Sequence, residues 1–281
     1  MKKRHRDYDY EKIFNKLLKE ELREEKIEDL RMNNNVVYVR RRIVSGKIVE
    51  LELYPVWKCK HDIPRRKDRE ESKESQKKLN HKNSQKKAVR LVNANFGEED
   101  LFITVSYKDG YLPDETAARK DMQNYIRRLK RYRKKNGLDE LKYIYSIGYE
   151  NDPGKSKKVR IHHHLIINKM DRNEAEKLWT HGWANSKRLQ PDDFELTGVG
   201  KYIANQGKDR WSASRNLKKP KVTESRTGFT KRRALKLLKN QDAFKEIFEK
   251  DNPDCIYKDF SAFYSDDCPG VYIYVRMKKK E

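Results

Sequence analysis

The tetrapeptide Asn151-Asp152-Pro153-Gly154 constrains the fold of this chain more than any other segment. It separates residues 142–150 from residues 159–168, and both segments are rich in the apolar, β-branched and aromatic residues typical of strands. Asn, Asp, Pro and Gly in succession favour a tight turn. We therefore predict that the two segments pair as an antiparallel hairpin.

The segments on both sides of this hairpin extend the pattern. They are a strand at 101–107, a helix at 113–137, a helix at 171–181, a strand at 183–189 and a helix at 191–206. The order β-α-β-β-α-β is that of the split βαβ arrangement. We predict an α+β fold: a ferredoxin-like or RRM-like antiparallel-sheet palm, with helices on one face of the sheet.

Three parts are predicted along the chain. They are residues 1–92 (an N-terminal helix at 9–32, a β-hairpin around Ser45-Gly46 and a basic arm at 61–90), the core at 93–225, and a C-terminal extension at 226–281. The extension combines a helix at 230–250 with a strand at 271–277. We favour a solvated arm for residues 61–90, although their second half can also form a basic helix.

Charge limits the partners of this protein. Its 67 Lys and Arg residues exceed its 44 Asp and Glu residues, for a net charge of +23, so nucleic acid is the first candidate partner. No segment approaches the ~18 apolar residues of a membrane span, so no membrane is expected. The three cysteines form no CxxC pair and the N-terminus is charged, which favours the reducing cytoplasm.

The third strand contains the histidine triplet His162-His163-His164. Side chains alternate along a strand, so His162 and His164 should share one face while His163 lies on the other. Two such imidazoles can bind one metal ion, and Glu150 at the end of the preceding strand can complete a two-His, one-carboxylate set that leaves positions open for water and substrate. The alternative is a strand with polar residues facing solvent.

Tyr202 lies on the short helix that follows the fourth strand. A phenol has a pKa near 10 and is a weak nucleophile unless its target is activated. A metal ion on a scissile phosphate would provide that activation. Packing is the alternative role, because the chain has 16 tyrosines. The metal site and the tyrosine are informative together.

Three segments of the chain resemble the motifs of the HUH endonucleases. Phe102–Tyr107 resembles the first motif, the histidine triplet resembles the second, and Tyr202 within Lys-Tyr-Ile-Ala-Asn resembles the third. Asn93–Phe96 and Ser214–Pro220 are similar to segments of bacterial rolling-circle replication initiators from phages, plasmids and integrated elements. The resemblance covers about residues 75 to 225.

The resemblance implies a metal-dependent nick in single-stranded DNA, made by Tyr202 on the HUH fold, which leaves a 5′-phosphotyrosine and a free 3′-OH. It implies that His162 and His164 bind Mn²⁺ or Mg²⁺, with Glu150 as the third ligand by position. The expected partner is single-stranded DNA at a replication origin in the bacterial cytoplasm. A host helicase and polymerase are also expected, because the chain has no G-x-x-x-x-G-K-[ST] loop. Asn205 stands where many relatives have a lysine.

Basic residues around these motifs are predicted to contact DNA phosphates. They are Arg127, Arg128, Arg131, Lys201, Lys208, Arg210, Arg215, Lys218 and Lys219. Trp211 and Phe229 lie among basic residues and are candidates for base stacking, with core packing as the alternative. Two other functions fit this sequence: a single-tyrosine transposase or relaxase with the same chemistry, and a non-catalytic nucleic-acid-binding protein.

Overall fold

The computed structural model describes residues 14, 16–59, 73–148, 161–206, 211–240, 244–266 and 268–280. The chain forms two compact units, one of Met1–Leu79 with Lys221–Glu281 and the other of Asn80–Pro220. This grouping differs from the predicted three parts, because strands from the first and last parts pair in one sheet. Across the described ranges, no helix is long and apolar enough to span a membrane.

The described elements are numbered in chain order. The strands are β1 (Lys16–Leu17), β2 (Val36–Ser45), β3 (Ile48–Trp57), β4 (Leu101–Ser106), β5 (Tyr143–Gly148), β6 (His162–Ile167), β7 (Ala184–Arg188), β8 (Trp211–Ala213), β9 (Lys221–Ser225), β10 (Cys255–Tyr264) and β11 (Val271–Lys279). The helices are α1 (Arg23–Met32), α2 (Lys73–Asn95), α3 (Glu115–Lys135), α4 (Arg172–Lys177), α5 (Thr197–Asn205), α6 (Lys231–Lys239) and α7 (Phe244–Asp251).

The Asn80–Pro220 unit is built on an antiparallel sheet with the strand order β7-β4-β6-β5-β8. Numbered within the β-α-β-β-α-β segment, its first four strands have the order 4-1-3-2. The predicted hairpin of β5 and β6 is confirmed, with Ser146 opposite His164 and Gly148 opposite His162. The unit is therefore α+β, and its strand order is compatible with a ferredoxin-like palm.

Helices cover both faces of this sheet. On one face, Ile103 and Leu165 pack with Met122 and Leu129 of α3. Asp114 caps α3 by accepting a hydrogen bond from a backbone N–H in the first turn. On the other face, residues of α2 and α5 pack with apolar residues of β5 and β6. The prediction of helices on one face only is therefore wrong. The arm favoured for residues 61–90 is helical from Lys73, with apolar side chains of α2 buried in this layer.

The other unit contains a six-stranded antiparallel sheet with the order β1-β10-β11-β3-β2-β9. The predicted hairpin of β2 and β3 is confirmed, and Gly46 takes the positive φ of 61° that its turn requires. Helices α1, α6 and α7 pack on one face of the sheet. The helix predicted at 9–32 begins only at Arg23 as an α-helix, because β1 pairs with β10. Strand β10 was not predicted.

Candidate functional site

His162, His163 and His164 lie on β6, in the middle of the Asn80–Pro220 sheet. His163 is fully buried on the α3 face, where its Nε2 lies 3.0 Å from the Tyr107 hydroxyl. Burial, with smaller contributions from the charges of His162 and His164, lowers the pKa of His163 to about 3. His162 and His164 lie on the opposite face, with ring centroids 4.8 Å apart. This is the arrangement expected from strand alternation.

His164 lies between a threonine and the candidate nucleophile. Thr104, its partner on β4, places Oγ1 3.1 Å from His164 Nδ1. The Tyr202 hydroxyl lies 2.9 Å from His164 Nε2. Both ring nitrogens of His164 are therefore in hydrogen-bonding contact with hydroxyl groups from other elements. If Nδ1 carries the proton, it donates to Thr104, and the lone pair of Nε2 faces Tyr202.

Aromatic contacts hold these two side chains in place. Phe102 stacks on His164 with ring centroids 5.6 Å apart, and it contacts Tyr202 edge-on at 6.0 Å. Tyr202 is still 44% exposed, so its face of α5 is open to a ligand. Gly200 on the same helix has no room for a side chain, because an added Cβ would lie 2.8 Å from Val89 Cα in α2. Close packing of α5 on α2 thus orients the helix that carries Tyr202.

His164 is electrically neutral at physiological pH. Burial lowers its pKa to about 4, and the charge of His162 lowers it further in the same direction. A neutral imidazole has one nitrogen lone pair with which to accept a proton or bind a metal ion. The site therefore offers an uncharged ligand rather than a cation.

Gly148 determines the space around His162. An alanine Cβ at this position would lie 2.7 Å from His162 Cε1, closer than real Cβ atoms approach. Ser146 lies two residues earlier on the same face, fully buried, and its hydroxyl has no hydrogen-bond partner within the described residues. Thr104 and Gly148 belong to the site through cross-strand register, a signal that becomes readable only once β4, β5 and β6 are aligned.

The donor set fits a divalent metal ion in part. His162 and His164 supply two imidazoles on one face, and His164 is neutral. In the ranges that the structure describes, no group of three His, Cys, Asp or Glu residues surrounds a common point. Glu150, the predicted third ligand, lies outside the described residues.

The predicted DNA contacts are spread over the unit. Lys201, adjacent to Tyr202, is exposed, and so are Arg215, Lys218 and Lys219. Arg127 and Arg131 are exposed on α3, but the sheet separates this helix from the face of His162 and His164. Arg128 is half-buried and donates a hydrogen bond of 2.7 Å to the Leu178 carbonyl. Lys208 and Arg210 lie outside the described residues.

The two aromatic candidates differ in their surroundings. Phe229 is 3% exposed and belongs to the core of the other unit, so the stacking alternative is wrong for it. Trp211 is half-buried beside the α2–α5 layer, and its Nε1 donates to Ser84 Oγ at 2.9 Å. Asn205 accepts a hydrogen bond of 2.9 Å from Gln85, so the position of the usual lysine is tied to α2 instead.

One comparison with known proteins gives a match. A sequence model of the replication-associated protein ORF2 family matches residues 100–207, which include β4, His162, His164 and Tyr202. No curated protein and no solved structure matches the chain. Over this segment the chain is similar to a replication-associated family, which is consistent with a rolling-circle replication initiator.

Proposed function

We propose that this protein initiates rolling-circle replication by nicking and rejoining single-stranded DNA, with Tyr202 as the nucleophile. The observation that carries the proposal is the contact of 2.9 Å between the Tyr202 hydroxyl and His164 Nε2. It joins two motifs that are 38 residues apart in sequence and that both lie within the replication-associated match. With its net charge of +23, the chain is also suited to a polyanionic substrate.

The proposed reaction is a transesterification at one phosphodiester. The Tyr202 oxygen forms a bond to phosphorus while the bond from phosphorus to the 3′ oxygen breaks. The phenolic proton passes to solvent, and the departing 3′ oxygen takes up a proton to become the free 3′-OH. The reverse reaction, with a 3′-OH as the attacking group, rejoins the strand and releases Tyr202.

His162 and His164 would hold a divalent ion, Mn²⁺ or Mg²⁺, with Glu150 as the proposed third ligand. Such an ion would polarise a non-bridging phosphate oxygen and orient the phosphate for in-line attack. Thr104 contacts the far ring nitrogen of His164 and would fix both the tautomer and the orientation of that ring. The exposed edge of Tyr202 leaves room for DNA beside the nucleophile.

The proposed partners follow from this chemistry. Single-stranded DNA at a replication origin is the substrate, and the 3′-OH serves a host polymerase as primer. A host helicase would unwind the template. Exposed basic residues, including Lys201 beside the nucleophile, would neutralise phosphates of the bound strand.

A denaturing gel tests the proposal. Wild-type protein incubated with labelled single-stranded DNA and Mn²⁺ should give a cleaved strand and a covalent protein–DNA adduct. Tyr202→Phe removes one oxygen and should abolish both products while preserving DNA binding. Tyr132→Phe, at a half-buried tyrosine packed with the opposite sheet face, is the matched control and should react like wild type. A mobility shift without cleavage by the wild type would favour a non-catalytic binding protein.

A further inference from the structure

Trp183 is the most exposed large hydrophobic residue in the described part of the chain, with 78% of its surface accessible. We propose that it is a stacking site for an unpaired base of single-stranded DNA, beside the face that carries His162 and His164. This inference rests on the proposed function, because it names how the same substrate would be held next to the nucleophile.

The β-ladder locates Trp183 relative to the site. Val105 pairs with Ala184, and the bond of 2.8 Å from the Ser106 N–H to the Trp183 carbonyl extends that ladder by one position. Ser106 in turn pairs with His162 on its other side. Trp183 therefore lies two strand spacings from His162, ~10 Å between backbones.

Alternation along β7 gives the face. Ala184 packs with the α3 layer, so its neighbours Trp183 and Asn185 lie on the opposite face. Asn185 pairs with Thr104, the residue in contact with His164. Trp183 thus shares a sheet face with the candidate catalytic residues, at the end of the sheet where His162 lies.

The backbone before Trp183 is fixed against β4. Gly182 has a φ of 153°, and an added Cβ would lie 2.6 Å from both the Ser106 oxygen and the Tyr107 carbonyl carbon. The Lys108 N–H also donates to the His181 carbonyl at 2.9 Å. The exposed indole is therefore held on an anchored backbone, and this preorganisation reduces the entropy lost when a ligand binds.

The neighbours of Trp183 favour nucleic acid as the occupant. Asn185 and Lys187 follow on the same face of β7, and both are exposed. Because β7 is an edge strand, this row is open along one side of the sheet. An indole ring stacks on any base, an amide can bond base edges and an ammonium can neutralise a phosphate. Interface cores between proteins are instead depleted in lysine.

The test measures binding alone. Full-length Tyr202→Phe protein is titrated without divalent ions into a fluorescent oligothymidylate of about 16 nucleotides, a length suited to one binding fold. Adding Trp183→Ala should raise Kd by about 5-fold to 100-fold, the usual loss for one stacked base. Trp183→Phe should retain most of the affinity. The salt dependence should keep its slope, because no phosphate contact is lost.

Leu112→Ala is the matched control, since Leu112 is another highly exposed apolar residue (68%) of the same unit. It should bind like the parent protein. Unchanged affinity in Trp183→Ala, or equal losses in Trp183→Ala and Trp183→Phe, would overturn the stacking site. So would a protein dimer that dissociates in Trp183→Ala while DNA affinity stays unchanged, because it would assign the residue to a protein interface.

The same data separate this inference from the proposed function. If the wild type forms no adduct but Trp183→Ala weakens binding, the stacking site stands and the nuclease chemistry fails. If the wild type forms an adduct and Trp183→Ala binds normally, the function stands and the stacking site fails.

Discussion

Thr104→Val tests the role of the hydroxyl that contacts His164. The substitution replaces Oγ1, which lies 3.1 Å from His164 Nδ1, with a methyl group of similar size. One partly buried hydrogen bond is lost, so the free energy of unfolding should fall by about 0.5–1.5 kcal/mol. The effect on activity should be larger, because residues that orient a metal-binding histidine typically contribute 10-fold to 100-fold to metal affinity or rate.

The assay is a single-turnover nicking reaction with Mn²⁺ titrated from low concentration. We expect Thr104→Val to shift the half-saturating Mn²⁺ concentration upwards by about 10-fold or more. Thr104→Ser keeps the hydroxyl and is the matched control, with a metal dependence close to wild type. A Thr104→Val protein with wild-type metal dependence and rate would refute the reasoning, and so would a Thr104→Ser protein that is equally impaired.

Three other predictions follow from the site and its charge. Gly148→Ala should slow nicking by about 10-fold or more, because its Cβ would displace the His162 ring; Gly97→Ala, with nothing within 4 Å of the added Cβ, is the control, and equal rates would contradict the packing argument. Stability should decrease as the pH falls below 6.5, because His163 stays neutral in the folded state down to its pKa of about 3 while the unfolded chain binds a proton near 6.5. Urea unfolding should show a loss of about 2 kcal/mol between pH 7 and pH 5 that is absent in His163→Phe; parallel curves would exclude it. DNA affinity should fall with salt at a log–log slope near −4 if about six phosphates are neutralised, and a flat dependence would exclude the basic surface.

Local patterns predicted the centre of the fold well. The hairpin of β5 and β6 was readable from its turn sequence, and the separation of His163 from its two neighbours follows from the two-residue period of a strand. The helix 113–137 was also readable, although Asp114 rather than Pro113 begins it. These features depend on residues close together in the sequence.

Long-range pairing was not readable in the same way. Strand β3 pairs with β11, more than 200 residues later, and no local signal in either strand specifies that partner. The role of Thr104 depends on the register of β4 against β6, and the placement of Trp183 depends on the register of β7 against β4. Composition identified Trp211 and Phe229 as stacking candidates, whereas the structure exposes Trp183 far more than either.

The most direct test of the account is to map the amino acid that becomes linked to DNA. Full-length protein is incubated with single-stranded DNA and Mn²⁺, the adduct is digested with nuclease and protease, and mass spectrometry locates the nucleotide-bearing peptide. The account predicts a 5′-phosphotyrosine at Tyr202 and no adduct from Tyr202→Phe. A nucleotide on Tyr107, Tyr125 or any other residue, or an undiminished adduct from Tyr202→Phe, would contradict it.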